Sequence, residues 1–481
     1  MWRVQLFRLA YQYSRDHLFG RRLLAFTCAA LLLAPIAVYV GVQDAERREA
    51  DHRALVDQRR KARESNRGVT GRDLEPGLRA LREPAPAGVL VRGVSDSSPA
   101  YWDFGPSGLS TGHPVEAHGS VYEAATAIDL EVLFRVLLGL LALSLGAESV
   151  GRERETGTLK HLLALPIPPR LVAIARILAG AGSVVLVTLG LSFVAIASIA
   201  LIDPSRMSLD LAQTTAFVAL ATAIYGTAMF SAGVLVAALI RSVASALLAS
   251  LLLWLTVAVV SPPVLAFAGR LAGSGSSRAV FEAARDSVYD ARDVDLQKAV
   301  GARLRGLIGP LQNTRTLAFD GELRAAVEET WLQGMAMIRQ HLDAIDRENA
   351  DRMNRQGRVT EAARFVSPGT LMLTVAADLT GTGQSAARRR LAAIEQHQNR
   401  LERQLFDVRP WITLRVPGPR GETLEVFERG PLVGIEELPQ FQAPPMDLRA
   451  RLGDATPALV GLALWAIGLS VAGVIAFRDG R

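Results

Sequence analysis

Two residue types are scarce in this chain of 481 residues: it has one cysteine and three lysines. Cys28 sits alone inside an apolar run, so no intramolecular disulfide and no cysteine zinc cage can form, and the redox compartment cannot be read from it. None of Lys61, Lys160 and Lys298 follows a glycine. The pattern G-x-x-x-x-G-K-[ST] is therefore missing, and the chain cannot build the phosphate-cradling loop of a P-loop ATPase. H-E-x-x-H is missing as well. A net charge of +6 raises the question of nucleic acid, but 53 basic residues are scattered among 47 acidic ones with no basic stripe, and no nucleic-acid partner is expected.

The remaining hints of chemistry dissolve on inspection. His113 and His118 in "HPVEAH" have loop spacing rather than metal-ligand spacing, and read as solvated surface histidines. "GTGQSA" at 381 to 386 follows a helix-like stretch, not a strand, so it reads as a helix-to-helix turn instead of a dinucleotide loop. Glu328 and Glu329 read as a solvated helix face. No catalytic, cofactor-binding or metal-binding residue is assigned, and the chain is expected to be a non-catalytic membrane subunit.

What the sequence does have is grease, with half of its residues hydrophobic beside 21% charged. A bilayer core about 30 Å thick needs roughly 20 apolar residues in a helix. Six runs approach or exceed that: Leu23 to Val42, Leu130 to Leu145 (a span to 148), Leu171 to Leu201, Leu211 to Ile240, Ala244 to Ala268 and Thr456 to Phe477. In the second, Glu131 and Arg135 are tolerable as an i,i+4 pair near an interface. The first run follows 22 residues with five arginines and has no small-residue cleavage pattern after it, which predicts an uncleaved anchor. Within those 22, Trp2, Leu6, Leu9 and Tyr13 share one arc opposite Arg8 and Arg15, the pattern of an interfacial helix.

Short loops set orientation. Arginines crowd residues 1 to 22, and Arg152, Arg154, Lys160 and Arg170 mark 149 to 170, while 202 to 210 has Arg206 against Asp203 and Asp210. The first two belong in the cytoplasm and the third outside, so both termini are expected to be cytoplasmic and segments 43 to 129 and 269 to 455 extracytoplasmic. The first of these opens with a charged helical run, 44 to 66, and then becomes loop-rich. In the second, Val327, Trp331, Met335, Ile338, Leu342 and Ile345 step by threes and fours, as do Leu391, Ile394, Leu401 and Leu405, predicting packed helices. Alternation at Ile412, Leu414 and Val416, then Leu424 and Val426, predicts a hairpin turning through Pro417 to Gly421. "AGSGSSR" at 272 to 278 reads as a hinge. The small residues at 178 to 183 and 225 to 233 suit close helix contact, within the chain or between chains.

"ERETGTLKHLLALPIPPR", 153 to 170, is too short to span anything. Thr156 or Thr158 suits a helix start, Glu153 and Glu155 suit its positive end, and Pro166 stops it, predicting a helix of about eight residues, roughly 12 Å long. Such a helix is marginal alone and would expose Leu159, Leu162 and Leu163. It should pack on its own membrane domain or be received by a soluble partner.

"AESVGRERETGTLKHLLALPIPPRLVAIARILAG", lying between the second and third apolar runs, resembles the corresponding segment of type-2 ABC exporter permeases, where an acidic residue and Glu-x-Gly-Thr-Leu precede leucines, a proline and a basic residue. "RFVSPGTLMLTVAADLTGTG" and "GVSDSSPAYWDF" resemble a subgroup with an enlarged extracytoplasmic insert between the fifth and sixth spans. The resemblance implies a mainly α fold, a six-helix transmembrane permease domain with two extracytoplasmic insertions, the larger helical with a small β-hairpin. It also implies a multi-pass protein of the bacterial inner membrane. The partners implied are two copies of an ABC ATPase that binds ATP and Mg, a second permease, identical or a sibling, and membrane lipid; an extracytoplasmic partner protein is a further expectation. By the same resemblance, Glu153, Glu155, Gly157, Thr158, Leu159, Lys160, Leu162, Leu163, Pro166 and Arg170 form an ATPase-coupling helix. The function so implied is ATP-driven export; the alternative is a non-transporting mechanotransmission or assembly component acting on an extracytoplasmic partner. A membrane-anchored enzyme is disfavoured by the empty motif search.

Overall fold

The computed structural model describes residues 2–18, 20–65, 78–93, 99–105, 108–112, 129–164, 167–272, 278–308, 321–407, 413–417, 423–427 and 438–479. Among them, six helices are long and apolar enough to cross a membrane. They are α2 (Arg21–Ser65), α3 (Leu130–Glu155), α5 (Pro169–Ile202), α6 (Leu209–Leu239), α7 (243–272) and α12 (Leu448–Asp479). Helix α1 (Trp2–Leu18) precedes them, and the short α4 (Thr158–Ala164) joins α3 to α5. Local chemistry sets these boundaries. Asp129 accepts from the backbone N–H of Val132 at 2.9 Å to start α3, Ser208 accepts from that of Leu211 at 3.1 Å to start α6, and Pro169 opens α5.

Helix α6 is the axis of the bundle, packed by α3, α5, α12 and α10 (Pro368–Thr380). Its apolar window is 72% buried and that of α3 is 67% buried, against 17% for α7. Small residues make this possible: a Cβ at Gly146 would run into the carbonyl oxygen of Phe230, and one at Gly233 into that of Leu143. Backbones of α3 and α6 thus touch directly. Gly180 and Gly226 make room for side chains of the neighbouring helix, since a Cβ at Gly180 would strike the Phe230 ring and one at Gly226 would strike Val184, whereas Gly182 faces open space. Buried hydroxyls of Thr215 and Thr222 donate to carbonyls four residues back at 2.8 Å, so they need no water. Arg451, fully buried in α12, donates to Thr214 Oγ1 at 3.1 Å and the Leu379 carbonyl at 2.9 Å, and pairs with Asp210, tying α12, α6 and α10 together.

Helix α3 and helix α7 each contain a π-helical turn, Leu133–Leu138 and Leu255–Val260. Such wide turns loosen the backbone ladder, and in hydrocarbon the carbonyls need partners. Trp254 Nε1 donates to the Val136 carbonyl at 2.9 Å, Tyr225 Oη to that of Arg135 at 3.0 Å, and Arg135 to that of Ala258. Arg135 also holds the buried Glu131, so the pair expected from i,i+4 spacing forms and is extended across to α7.

The other elements gather at the far ends of α2 and α12. Helix α2 continues unbroken to Ser65, and beside it lies a three-stranded antiparallel sheet in the order β1 (Ala80–Leu81), β2 (Tyr101–Gly105), β3 (Gly108–Gly112). The sheet was not foreseen. Trp102 and Phe104, alternate residues of β2, enter a small core with Leu78, Ile394, Leu401 and Leu438. Helices α8 (Arg278–Ile308) and α9 (Gly321–Ala363) pack together, with Ile338 and Leu342 of the predicted stripe buried. The turn at 381 to 383 joins α10 to α11 (Gln384–Asp407), as expected of "GTGQSA"; Gly381 takes φ 76°, the left-handed cap that glycine accommodates. Strands β4 (Thr413–Pro417) and β5 (Thr423–Phe427) form the predicted hairpin, pairing Leu414 with Val426 and Val416 with Leu424. The hinge residues 273–277, the hairpin turn 418–422, and His113 and His118 lie outside the described residues.

Candidate functional site

The segment 152 to 176 forms a joint at the end of the bundle opposite the sheet. Helix α3 ends at Glu155, and Thr156 caps it, its N–H bonding back to the Arg152 carbonyl at 3.0 Å. Gly157 follows at φ 73°, with nothing within 4 Å of where a Cβ would sit, so the position demands backbone freedom rather than space. The hydroxyls of Thr156 and Thr158 are 2.8 Å apart, and Thr158 Oγ1 donates to the Glu153 carbonyl at 3.2 Å. Both threonines therefore bond to the C-terminal end of α3. Glu153 and Glu155 likewise belong to the last turn of α3, not to the positive end of α4.

Helix α4 is seven residues long, Thr158–Ala164. Leu159 is 9% exposed and Leu162 packs beside it against the membrane core, so the leucine side expected to lie bare is applied to the chain's own bundle. The outward residues are polar or small: Arg152, Glu155, Thr158, His161 and Arg170 are exposed. The side chains of Lys160 and Leu163, and residues Leu165 and Pro166, lie outside the described residues. Of the ten predicted residues, the joint brings together Glu153, Glu155, Gly157, Thr158, Leu159 and Leu162, with Arg170 in the first turn of α5.

Two arginines fasten this joint to the spans. Arg154 donates to the carbonyls of Ala237 at 3.0 Å and Ile240 at 2.8 Å, meeting the free acceptors at the C-terminal end of α6. Arg176 of α5, 0% exposed, holds Glu153 Oε2 at 2.6 Å and donates to Tyr13 Oη at 3.3 Å. Its guanidinium carbon lies 5.0 Å from the centre of the Tyr13 ring and 5.2 Å from that of Phe477. One cation thus joins α1, α3, α5 and α12. Burial lifts the Tyr13 phenol above its ordinary range, with Arg176 pulling the other way, so Tyr13 serves as a neutral partner. The arc of α1 read as apolar is the side on which it packs along α5: Leu6, Leu9 and Tyr13 are half-buried, while Phe7 and Tyr11 are exposed.

Sequence reasoning missed Arg176, which stands within an apolar run 23 residues from its partner. It also passed over Gly108 to Gly112, which spells G-x-S-x-G; these residues form strand β3, antiparallel to β2, and not the strand-to-helix elbow that exposes a nucleophilic serine. Among the described residues, no group of three or more His, Cys, Asp or Glu side chains converges as a metal site would require. Among its described residues the joint carries no hydrogen-bonded pair of nucleophile and base. What it offers is a short, firmly braced helix with a polar outer face.

A family model described as ABC-2 family transporter protein matches residues 14–475. No curated protein matches the chain.

Proposed function

The chain belongs to the ABC-2 family of transporter proteins, a multi-pass membrane family, and from that footing we propose that it is the permease subunit of an ATP-driven exporter. In this reading two permeases, identical or siblings, line the path, and two copies of a separate ATPase supply ATP and Mg. The observation that carries it is the joint at α4, with leucines inward, polar residues outward, and arginines binding it to α1, α3, α5, α6 and α12. A surface of that kind receives a push from a soluble subunit and passes it to the spans without first having to fold.

The proposed orientation puts α1, α4 and both termini in the cytoplasm of a bacterial inner membrane. The sheet, α8, α9, α11 and the hairpin then lie outside. Support comes from Arg206, in the turn between α5 and α6, which pairs with Glu49 beyond the apolar part of α2; both sit at the end opposite α4. The second reading, force transmission to an extracytoplasmic partner, draws on α9: 43 residues make a helix about 65 Å long, far more than a permease path needs.

Co-purification with a co-expressed ABC ATPase subunit, followed by ATP hydrolysis, tests the coupling. Glu155→Lys reverses charge on the outer face, and Gly157→Pro forbids the left-handed turn. Each is expected to reduce complex recovery and hydrolysis, and unchanged assembly and turnover in both would defeat the assignment. Labelling of a Gln333→Cys variant in intact cells, with Cys28 replaced by Ser, tests the orientation; a site at 333 that outside reagent cannot reach overturns it.

A further inference from the structure

Helix α9 meets the bundle at its C-terminal end. The 3-10 turn Arg364–Val366 closes it, Ser367 is extended, and α10 starts at Pro368, so the chain makes an elbow. The elbow is wedged between two spans. On the α12 side a Cβ at Gly461 would strike the Phe365 ring, and Trp465 Nε1 donates to the Phe365 carbonyl at 3.0 Å. On the α7 side the Ser367 hydroxyl donates to the Val257 carbonyl at 3.3 Å, and a Cβ at Gly369 would run into that same carbonyl oxygen.

These contacts fix the depth of the elbow. Gly461 and Trp465 lie 5 and 9 residues inside the apolar run that begins at Thr456, roughly 8 to 14 Å along the helix axis. Val257 lies 11 residues inside the run that ends at Ala268, roughly 16 Å. Residues 364 to 367 belong to the segment expected outside the membrane, yet they touch both spans within their apolar stretches. What they present there is apolar, with Phe365 38% exposed and Val366 65% exposed. Val260 and Val264 of α7 and Val460 and Leu464 of α12 are exposed as well, so the elbow adds to a surface that the two spans already leave apolar and uncovered.

Backbone polarity at the elbow is met as a hydrocarbon setting requires. The carbonyl of Arg364 accepts from Thr370 Oγ1 at 2.8 Å, that of Phe365 from Trp465, and the Gly369 N–H donates to Ser367 Oγ at 3.2 Å. Charge lies on the α9 side. Arg364 turns back to donate to Glu361 at 3.0 Å, and Glu361 and Arg358, about one and two turns from Phe365 along α9, are exposed. We propose that the elbow is a lipid-seated foot of the large insertion: acyl chains of the nearer leaflet cover Phe365 and Val366, and Arg358 and Glu361 stand among the headgroups. An apolar patch flanked by two spans and rimmed by charge fits a phospholipid layer, apolar within and polar at its edge. Such a foot needs only the spans, and it holds for either orientation of the chain and with or without export.

The test uses the full-length chain with Cys28→Ser, so that one introduced cysteine carries the label. Val366→Cys, and Asp351→Cys about 20 Å back along α9, each bearing a bimane, are reconstituted in phosphatidylcholine vesicles. Emission is compared between ordinary vesicles and vesicles brominated high on their acyl chains, and with iodide present on both sides of the membrane. At 366 bromine is expected to lower emission about twofold or more and iodide to change it little, because only a side chain within the acyl layer meets the bromine. At 351 the order reverses. Iodide quenching at 366 as strong as at 351 puts the elbow in water, and quenching by neither agent puts another protein surface, such as a second copy of the chain, over it; each overturns the foot. So does a Val366→Cys chain that fails to fold, because a side chain covered by lipid alone is not needed by the protein core.

Discussion

Glu153→Gln is the sharpest test of how the joint is built. Arg176 is fully buried, and among the described residues its only anionic partner is Glu153, at 2.6 Å; Nε and Nη1 have no hydrogen-bond partner. At a charge separation of about 4 Å and an effective dielectric of about 20, the attraction is about 4 kcal/mol. Glu153 is 24% exposed, so solvent screens part of this, and breaking the pair from the acid side should cost about 3 kcal/mol, the low end for leaving a charge buried and unmatched. Removing the other partner should hurt less. Arg176→Met leaves Glu153 free to turn toward water, and loses chiefly two ring contacts of about 0.5 to 1 kcal/mol each. The double variant should match Arg176→Met, giving a coupling of about 2 to 3 kcal/mol. Reversible unfolding in mixed micelles by titration with a denaturing detergent measures all three. If Glu153→Gln costs no more than Arg176→Met, or if the two effects simply add, Glu153 is not what holds the buried cation and the joint is fastened otherwise.

Gly233→Val should lower stability by at least 1 to 3 kcal/mol in the same titration, because the new side chain must push α6 off the Leu143 carbonyl. Gly157→Asn should fold normally and Gly157→Val should not, by about 1 to 2 kcal/mol, since only backbone conformation is at stake there. Asp378, in α10 outside the six spans, has its carboxyl pushed up to about 6 by burial, against a hydrogen bond from Ser385. The folded state therefore holds that proton more tightly than the unfolded chain does, so stability is greatest below pH 4 for this group and falls as pH rises to about 6. Asp378→Asn should flatten that part of a Tm profile measured between pH 4.5 and 7.5, and an unchanged slope would assign it to other groups.

What the sequence made legible follows from the range of each signal. The six runs are long and uniform, so their helices were plain from length alone. The hairpin at Thr413 to Phe427 announced itself through alternation about a Pro and Gly turn, and the α10–α11 turn through two glycines after a helical run. The sheet at 80 to 112 was missed because β1 has two residues and β2 and β3 five each, too short for a period to emerge among loop residues. The π-turns carry no sequence mark, since their signature lies in which carbonyls Trp254 and Tyr225 reach. Long-range partners were equally hidden. Glu153 read as a helix-dipole residue of α4 because its true counterpart, Arg176, lies a turn and a helix away. Leu159 and Leu162 read as bare for the same reason: local pattern states that a face is apolar, not what covers it.

The placement of polar ties sets α7 apart from four of the other spans. Helices α3, α5, α6 and α12 are bound by the Arg154, Arg176 and Arg451 contacts and by direct backbone packing, so they form one tied group. Helix α7 is different, being the least buried span. At its wide turn it is held by Arg135 to the Ala258 carbonyl and by Trp254 to that of Val136, and just beyond by Ser261 to Ser367 at 2.8 Å. Both wide turns therefore sit at one crossing, at the end of α3 farthest from α4. A helix whose backbone is locally over-wide and tied to its neighbour through side chains can change its crossing angle by exchanging those few bonds, while a helix packed backbone to backbone cannot. Under the proposed coupling, movement begun at α4 would pass along α3, and the α3–α7 crossing is where those few exchangeable bonds lie.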